Sequence, residues 1–127
     1  MRFNCIHHIA IISSDYQAAY HFYSNILGLS VICDTIRQDK NDRKIDMKLN
    51  ETTQIELFIK EDAPSRATNP EALGLRHLAF RVDRIEQYVA YLLGQGVKVD
   101  PIRLDSCTGE KVAFFYDPEG LPIELHE

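Results

Sequence analysis

The chain has 127 residues, 45% hydrophobic and 26% charged, enough for one domain with a proper core. Its net charge of −5 and the lack of any basic run exclude a nucleic-acid face built on Lys and Arg, and no apolar stretch is long enough to span a bilayer. Cys5, Cys33 and Cys107 are scattered and form no CxxC, so neither a disulfide framework nor a thiolate metal site is expected, and the expected setting is the reducing cytoplasm.

The first strand is predicted over about 5–12, where alternation puts His8, Ala10 and Ile12 on one face and His7, Ile9 and Ile11 on the other. Ser14 or Asp15 can cap the helix that comes next. Tyr16, Ala19, Tyr20, Tyr23 and Leu27 recur at helical spacing and predict an apolar stripe packed on a sheet, and Gly28 stops the helix. Further strands are predicted at about 29–37, 44–50 and 53–60, with turns at 40–43 and 50–52. In the last of these, Gln54, Glu56 and Phe58 share a face opposite Ile55, Leu57 and Ile59. A carboxylate in so apolar a strand needs a partner, because an unpaired buried charge is costly.

Residues 61–74 carry two prolines and no periodicity; they read equally as a solvated link or as a lid over a site. The pattern then restarts. A strand places His77, Ala79 and Arg81 on one face, and a helix comes after it with Ile85, Tyr88, Val89 and Leu92 as its stripe. Strands are expected at about 97–104, 111–116 and 121–126, the last two joined by the turn Asp117-Pro118-Glu119-Gly120. Each half is therefore βαβββ, and the chain is read as an α+β fold of two tandem units, about 5–60 and 75–127, in a single domain over 1–127.

His8 to Glu56 spans 48 positions and His77 to Glu124 spans 47. Two His and two Glu, given twice in the same order, suit one borderline divalent ion such as Zn, Ni, Co or Mn, through imidazole nitrogen and carboxylate oxygen. Any one of them alone reads as a satisfied His or an edge Glu; the doubled spacing and shared inward faces set the group of four apart. His7 is out of phase with His8 and His21 lies on a polar helix face, so neither is taken as a ligand. His126 shares the face of Glu124 and reads either as a support for it or as a loose terminal side chain. Arg81 is an anion anchor or a rim residue, and Arg37, Arg66 and Arg103 are weaker candidates for the same role.

The motifs HHIAI, IELF, LRHLAF and DPEGLPIEL, set in paired βαβββ halves, resemble the vicinal oxygen chelate superfamily over essentially the whole chain. That group includes glyoxalase I, methylmalonyl-CoA epimerase, fosfomycin-resistance transferases, extradiol dioxygenases and metal-free bleomycin-binding proteins. The resemblance implies a metal-binding cleft in which His8, His77 and Glu124 match the shared ligand positions. A Glu at position 56 is similar to bacterial glyoxalase I. The activity implied by this resemblance is that of a lyase or isomerase using one divalent ion, nickel or zinc first and cobalt or manganese next. The ion polarises substrate oxygens and holds an enediolate while a carboxylate, Glu124 with Glu56 as its partner, moves a proton between adjacent carbons. An epimerase acting α to a thioester needs the same machinery, and a metal-free drug-binding protein is the remaining alternative. Glyoxalase I typically has an Arg four residues after its first His. Here that position is Ile12, while Arg81 stands at the equivalent place in the other half, which points away from glutathione towards another thiol adduct or a 2-oxo compound. A homodimer is expected, because glyoxalase I-like relatives complete their sites by pairing halves of two chains; whether the four ligands share one chain here stays open.

Overall fold

The strand order β1-β4-β3-β2 describes the first sheet and β5-β8-β7-β6 the second, in a computed structural model that describes all residues, Met1–Glu127. The chain divides into two units, Met1–Pro64 and Ser65–Glu127, each with its own sheet and helix. In unit 1, β1 (His8–Ser13) runs parallel to β4 (Gln54–Ile59), while β3 (Asp42–Lys48) and β2 (Ser30–Arg37) continue antiparallel. In unit 2, β5 (Leu78–Arg81) runs parallel to β8 (Pro122–His126), and β7 (Lys111–Tyr116) and β6 (Arg103–Leu104) complete the sheet. A first and last strand in parallel need a crossover, and the helix of each unit provides it. The expected α+β fold of two βαβββ units is thus the fold observed.

Alternation decides which residues form each core. Ile11, Ile55, Leu57, Ile59, Ile45 and Met47 are buried on one side of the first sheet. The second sheet buries Ile123, Leu125, Ala113 and Phe115 on the corresponding side. Full burial of such a side chain contributes about 1.5–3 kcal/mol, so the opposite faces are left free for polar work.

Of the two expected cap candidates, Asp15 caps the first helix by accepting from the Ala18 N–H at 3.0 Å, but the helix then departs from expectation. The α-helix α1 (Tyr16–Tyr20) passes at its end into a π-helical turn, His21–Ile26, closed by Leu27 N–H to the Phe22 carbonyl. The wider turn rotates the inward stripe to Ala19, Phe22, Tyr23 and Ile26, and leaves Tyr16, Tyr20 and Leu27 only partly covered. Gly28 ends it at φ 76°, a conformation that costs glycine nothing. In unit 2, α2 (Ile85–Gly94) starts with its Ile85 N–H donating to the Glu127 carboxylate at 3.2 Å.

The strand expected at 97–104 is reduced to Arg103–Leu104 plus a single bridge between Val99 and Phe115. Pro101 has no N–H to donate, and it sits where the ladder would run. The three cysteines are unpaired and exposed, and no helix is long and apolar enough to cross a membrane.

Candidate functional site

The two His–Glu couples are built in the same way. In unit 1, β1 and β4 pair so that Ala10 is in register with Glu56, and His8 is two positions earlier on the same face. In unit 2, Ala79 is in register with Glu124, and His77 is again two positions earlier. A methyl group opposite each carboxylate leaves room for the diagonal imidazole to reach it. The results are His8 Nε2 to Glu56 Oε2 at 3.2 Å and His77 Nε2 to Glu124 Oε2 at 3.0 Å. The carboxylates are 11% and 12% exposed, so both are largely out of water and depend on these partners.

The surroundings of the couples differ. Glu56 Oε1 lies 3.3 Å from Lys44 Nζ, and the same ammonium is 2.9 Å from Asp46 Oδ1. The hydrogen bond to Asp46, and a lesser one to Glu56, raise the Lys44 pKa above the ordinary lysine value despite desolvation. Glu124 has no ion-pair partner besides His77. The His8 ring is steadied by His7, with the two Nδ1 atoms 3.0 Å apart and the rings edge to face. The His77 ring instead packs edge-on against Phe114 at 5.0 Å, and its Nδ1 is buried without a hydrogen-bond partner. Both Lys44 and His7 escape a reading of the sequence. A Lys in an alternating strand reads as a solvated side chain, and His7 falls in the wrong phase only if the strand has already begun; β1 starts at His8.

Within either unit, no three His, Cys, Asp or Glu side chains gather as metal ligands. The donor chemistry of each couple suits a borderline divalent ion. Each couple brings together one imidazole nitrogen and one carboxylate oxygen.

The remaining candidates find other roles. His126 Nδ1 lies 3.3 Å from Glu110 and 2.9 Å from the Glu127 carbonyl. His21 is bonded to Asn25 on the helix surface. Arg37 is committed to Asp42, as a bidentate pair at 2.7 and 2.6 Å. Ile12 is exposed on the His8 face, and Arg81 is exposed in register with His126. Beside His77, unit 2 has a cavity of about 260 Å³ whose lining includes Arg66, Thr68, Arg76, Arg103, Phe114 and Tyr116. The stretch 61–74 is thus more than a solvated link, since part of it walls this cavity. It is tied down by Arg66 Nη2 donating to the Arg76 carbonyl at 2.6 Å and by the Arg76–Glu71 pair.

Comparison with known proteins agrees with this plan. The chain is 47% identical over 127 residues to the uncharacterized protein YwkD of Bacillus subtilis (strain 168), covering 100% of this chain and 99% of that one. It matches the crystal structure of the glyoxalase family protein from Enterococcus faecalis with a TM-score of 0.96 at 50% identity, covering 100% of both chains. At 26% identity it is similar to a 2-epi-5-epi-valiolone epimerase from Actinomyces sp., over 94% of this chain and 77% of that one. The sequence profile of one superfamily runs through both His–Glu couples, from residue 5 to residue 125, and by that match this chain belongs to the Glyoxalase/Bleomycin resistance protein/Dioxygenase superfamily.

Proposed function

We propose that this protein is a metal-dependent lyase or isomerase of the glyoxalase type. It would act on a small 2-oxo compound or its thiol adduct by moving a proton between adjacent carbons. The observation that carries this reading is the couple of imidazole and buried carboxylate, built twice at 3.2 and 3.0 Å by the same register. His8, Glu56, His77 and Glu124 would hold one divalent ion, nickel or zinc by preference, with cobalt or manganese as alternatives. The ion, when bound, supplies Lewis-acid polarisation of the substrate oxygens.

The proton work belongs to the carboxylates. Glu124, whose only ionic partner is His77, is free to leave its place, take a proton from the carbon next to the carbonyl and return it to the neighbouring carbon. Glu56, restrained by Lys44 as well as His8, acts as its partner and stays in place. Similarity to an epimerase supports a second reading with the same residues: deprotonation α to a carbonyl, with return of the proton to the opposite face of the same carbon. In both readings the chain works as a homodimer, with its two sites formed either within or across the chains.

Elemental analysis of protein purified without added metal tests the ion, with one equivalent per site expected. Undiminished metal content in His8→Ala would refute the ligand set. Mixing His8→Ala with His77→Ala chains then tests how sites are shared. After subunit exchange, sites formed across two chains regain part of the activity, because one site of the mixed dimer carries no mutation; sites within one chain do not. A strictly monomeric protein would overturn the dimer.

A further inference from the structure

We propose that the unit 2 cavity seats an oxyanion, a carboxylate or a phosphate, carried by the molecule that the His77–Glu124 couple acts on, and that Arg66 and Arg103 hold it. The inference rests on the proposed function for the identity of the neighbouring chemistry, but the seat stands on its own geometry.

Three guanidinium groups line the cavity. Arg76 is neutralised, its Nε lying 2.8 and 3.1 Å from the two oxygens of Glu71, whose pKa is lowered by that bond. Arg66 makes no ion pair at contact distance, although its charge acts on Glu71, which also lines the cavity. Its Nη2 donates to the main-chain carbonyls of Arg76 and Leu75. Arg103 has no carboxylate partner either, and its guanidinium lies 5.9 Å over the Phe114 ring. The Tyr116 hydroxyl is taken up by Asp100 at 2.6 Å, while Arg66, Arg103, Thr68 and His77 line the same cavity.

The cavity lining thus carries three guanidinium groups against one carboxylate, Glu71, which is bonded to Arg76. Arginine without a carboxylate offers a rigid planar fork that matches carboxylate and phosphate oxygens, so a neutral or cationic ligand would waste it. The seat is also placed for use. Arg103 is in register with Val112 on β7, the face of that strand which carries Phe114, and Phe114 is in register with Glu124. An oxyanion between Arg66 and Arg103 would thus lie beside the imidazole and carboxylate of the couple. A cavity of about 260 Å³ has room for an anionic group and the few atoms next to it.

The test is titration of the full-length protein, as purified and again after chelation, with inorganic phosphate and with succinate, against chloride at matched ionic strength. Binding is read from the NMR shifts of the arginine Nε–H groups and by calorimetry. Saturable millimolar binding of either probe is expected. Arg66→Met and Arg103→Met should each weaken it by about tenfold or more, as loss of a charge-assisted pair does. Arg103→Lys should retain part of it, and Arg84→Met, at an exposed arginine outside the cavity lining, should leave it unchanged. The probe that binds more tightly identifies the oxyanion. No saturable binding of either probe, or undiminished binding by both methionine variants, overturns the proposal. Metal content of the same samples reads the other proposal separately. Arginine-dependent binding without metal leaves the oxyanion seat standing and the metal reading fallen; metal without such binding does the reverse.

Discussion

The His8–Glu56 couple and the His77–Glu124 couple share register, spacing and burial, yet their neighbours give them different chemistry. Glu56 is shared between His8 and Lys44, and its imidazole is steadied by His7. Glu124 is tied to one imidazole, whose ring is held by packing against Phe114 and not by a second hydrogen bond. The first couple is restrained by charge, whereas the second stands next to a cavity lined by three arginines. Both units use the same backbone device, a small residue opposite a carboxylate, and differ in what their flanking strands add. In the proposed mechanism the carboxylate with fewer restraints, Glu124, is the one that moves.

The largest effect that separates the couples is expected from the carboxylates. Glu124→Gln should lower turnover by about 10²–10⁴-fold, the usual weight of a general base, while leaving most of the bound metal. Glu56→Gln should lower turnover less and metal content more. The comparison is made on whichever 2-oxo compound or thiol adduct the wild type converts, with elemental analysis of each variant. Full activity of Glu124→Gln would reverse the assignment.

The order of elements was legible in the residues because alternation and helical spacing are local. The metal-ligand candidates were legible because the spacing from His to Glu recurs. The diagonal geometry of the couples was not, since the pairing of β1 with β4 and of β5 with β8 joins residues far apart in the chain. Ala10 and Ala79 look like ordinary strand residues until that register is known. The same holds for Lys44, whose place next to Glu56 depends on the β3–β4 ladder. The π-helical turn was hidden because it shifts the inward stripe by one residue, from Leu27 to Ile26, with no compositional mark. Arg66 and Arg103 were weak candidates in the sequence, because no spacing relates a loop before β5 to the stub of β6.

Acid should bear more heavily on unit 1. Asp42 is fully buried at its side chain, and it is bonded to both ends of the Arg37 fork and to Lys60 at 2.9 Å. The Arg37 pair first, and Lys60 second, hold its pKa far below the ordinary carboxylate range. A carboxylate whose folded pKa is depressed stabilises the fold fully above its unfolded pKa of about 4, and that contribution is lost as pH falls further towards the folded value. Wild-type melting temperature should therefore drop below about pH 4, whereas Asp42→Asn should be less stable than wild type at pH 7 and lose less on acidification. Equal acid sensitivity of the two proteins would show that the cluster does not govern this response.

The smallest effect is the most direct probe of the difference between the couples. Lys44 places a positive charge 3.3 Å from Glu56 Oε1, so it competes with any cation drawn to that carboxylate. Lys44→Met removes the competitor and makes the surroundings of Glu56 resemble those of Glu124. The ammonium is partly exposed and shared with Asp46, so its hold is that of a screened pair, about 0.2–1 kcal/mol. Affinity for the divalent ion should then rise by no more than about fivefold, measured by competition with a chelating dye. The gain should shrink as salt is raised, because added ions already screen the lysine in the wild type. Weaker binding in Lys44→Met would mean that the lysine holds Glu56 in the orientation a ligand needs, and the restraint on the first couple would then be geometric and not electrostatic.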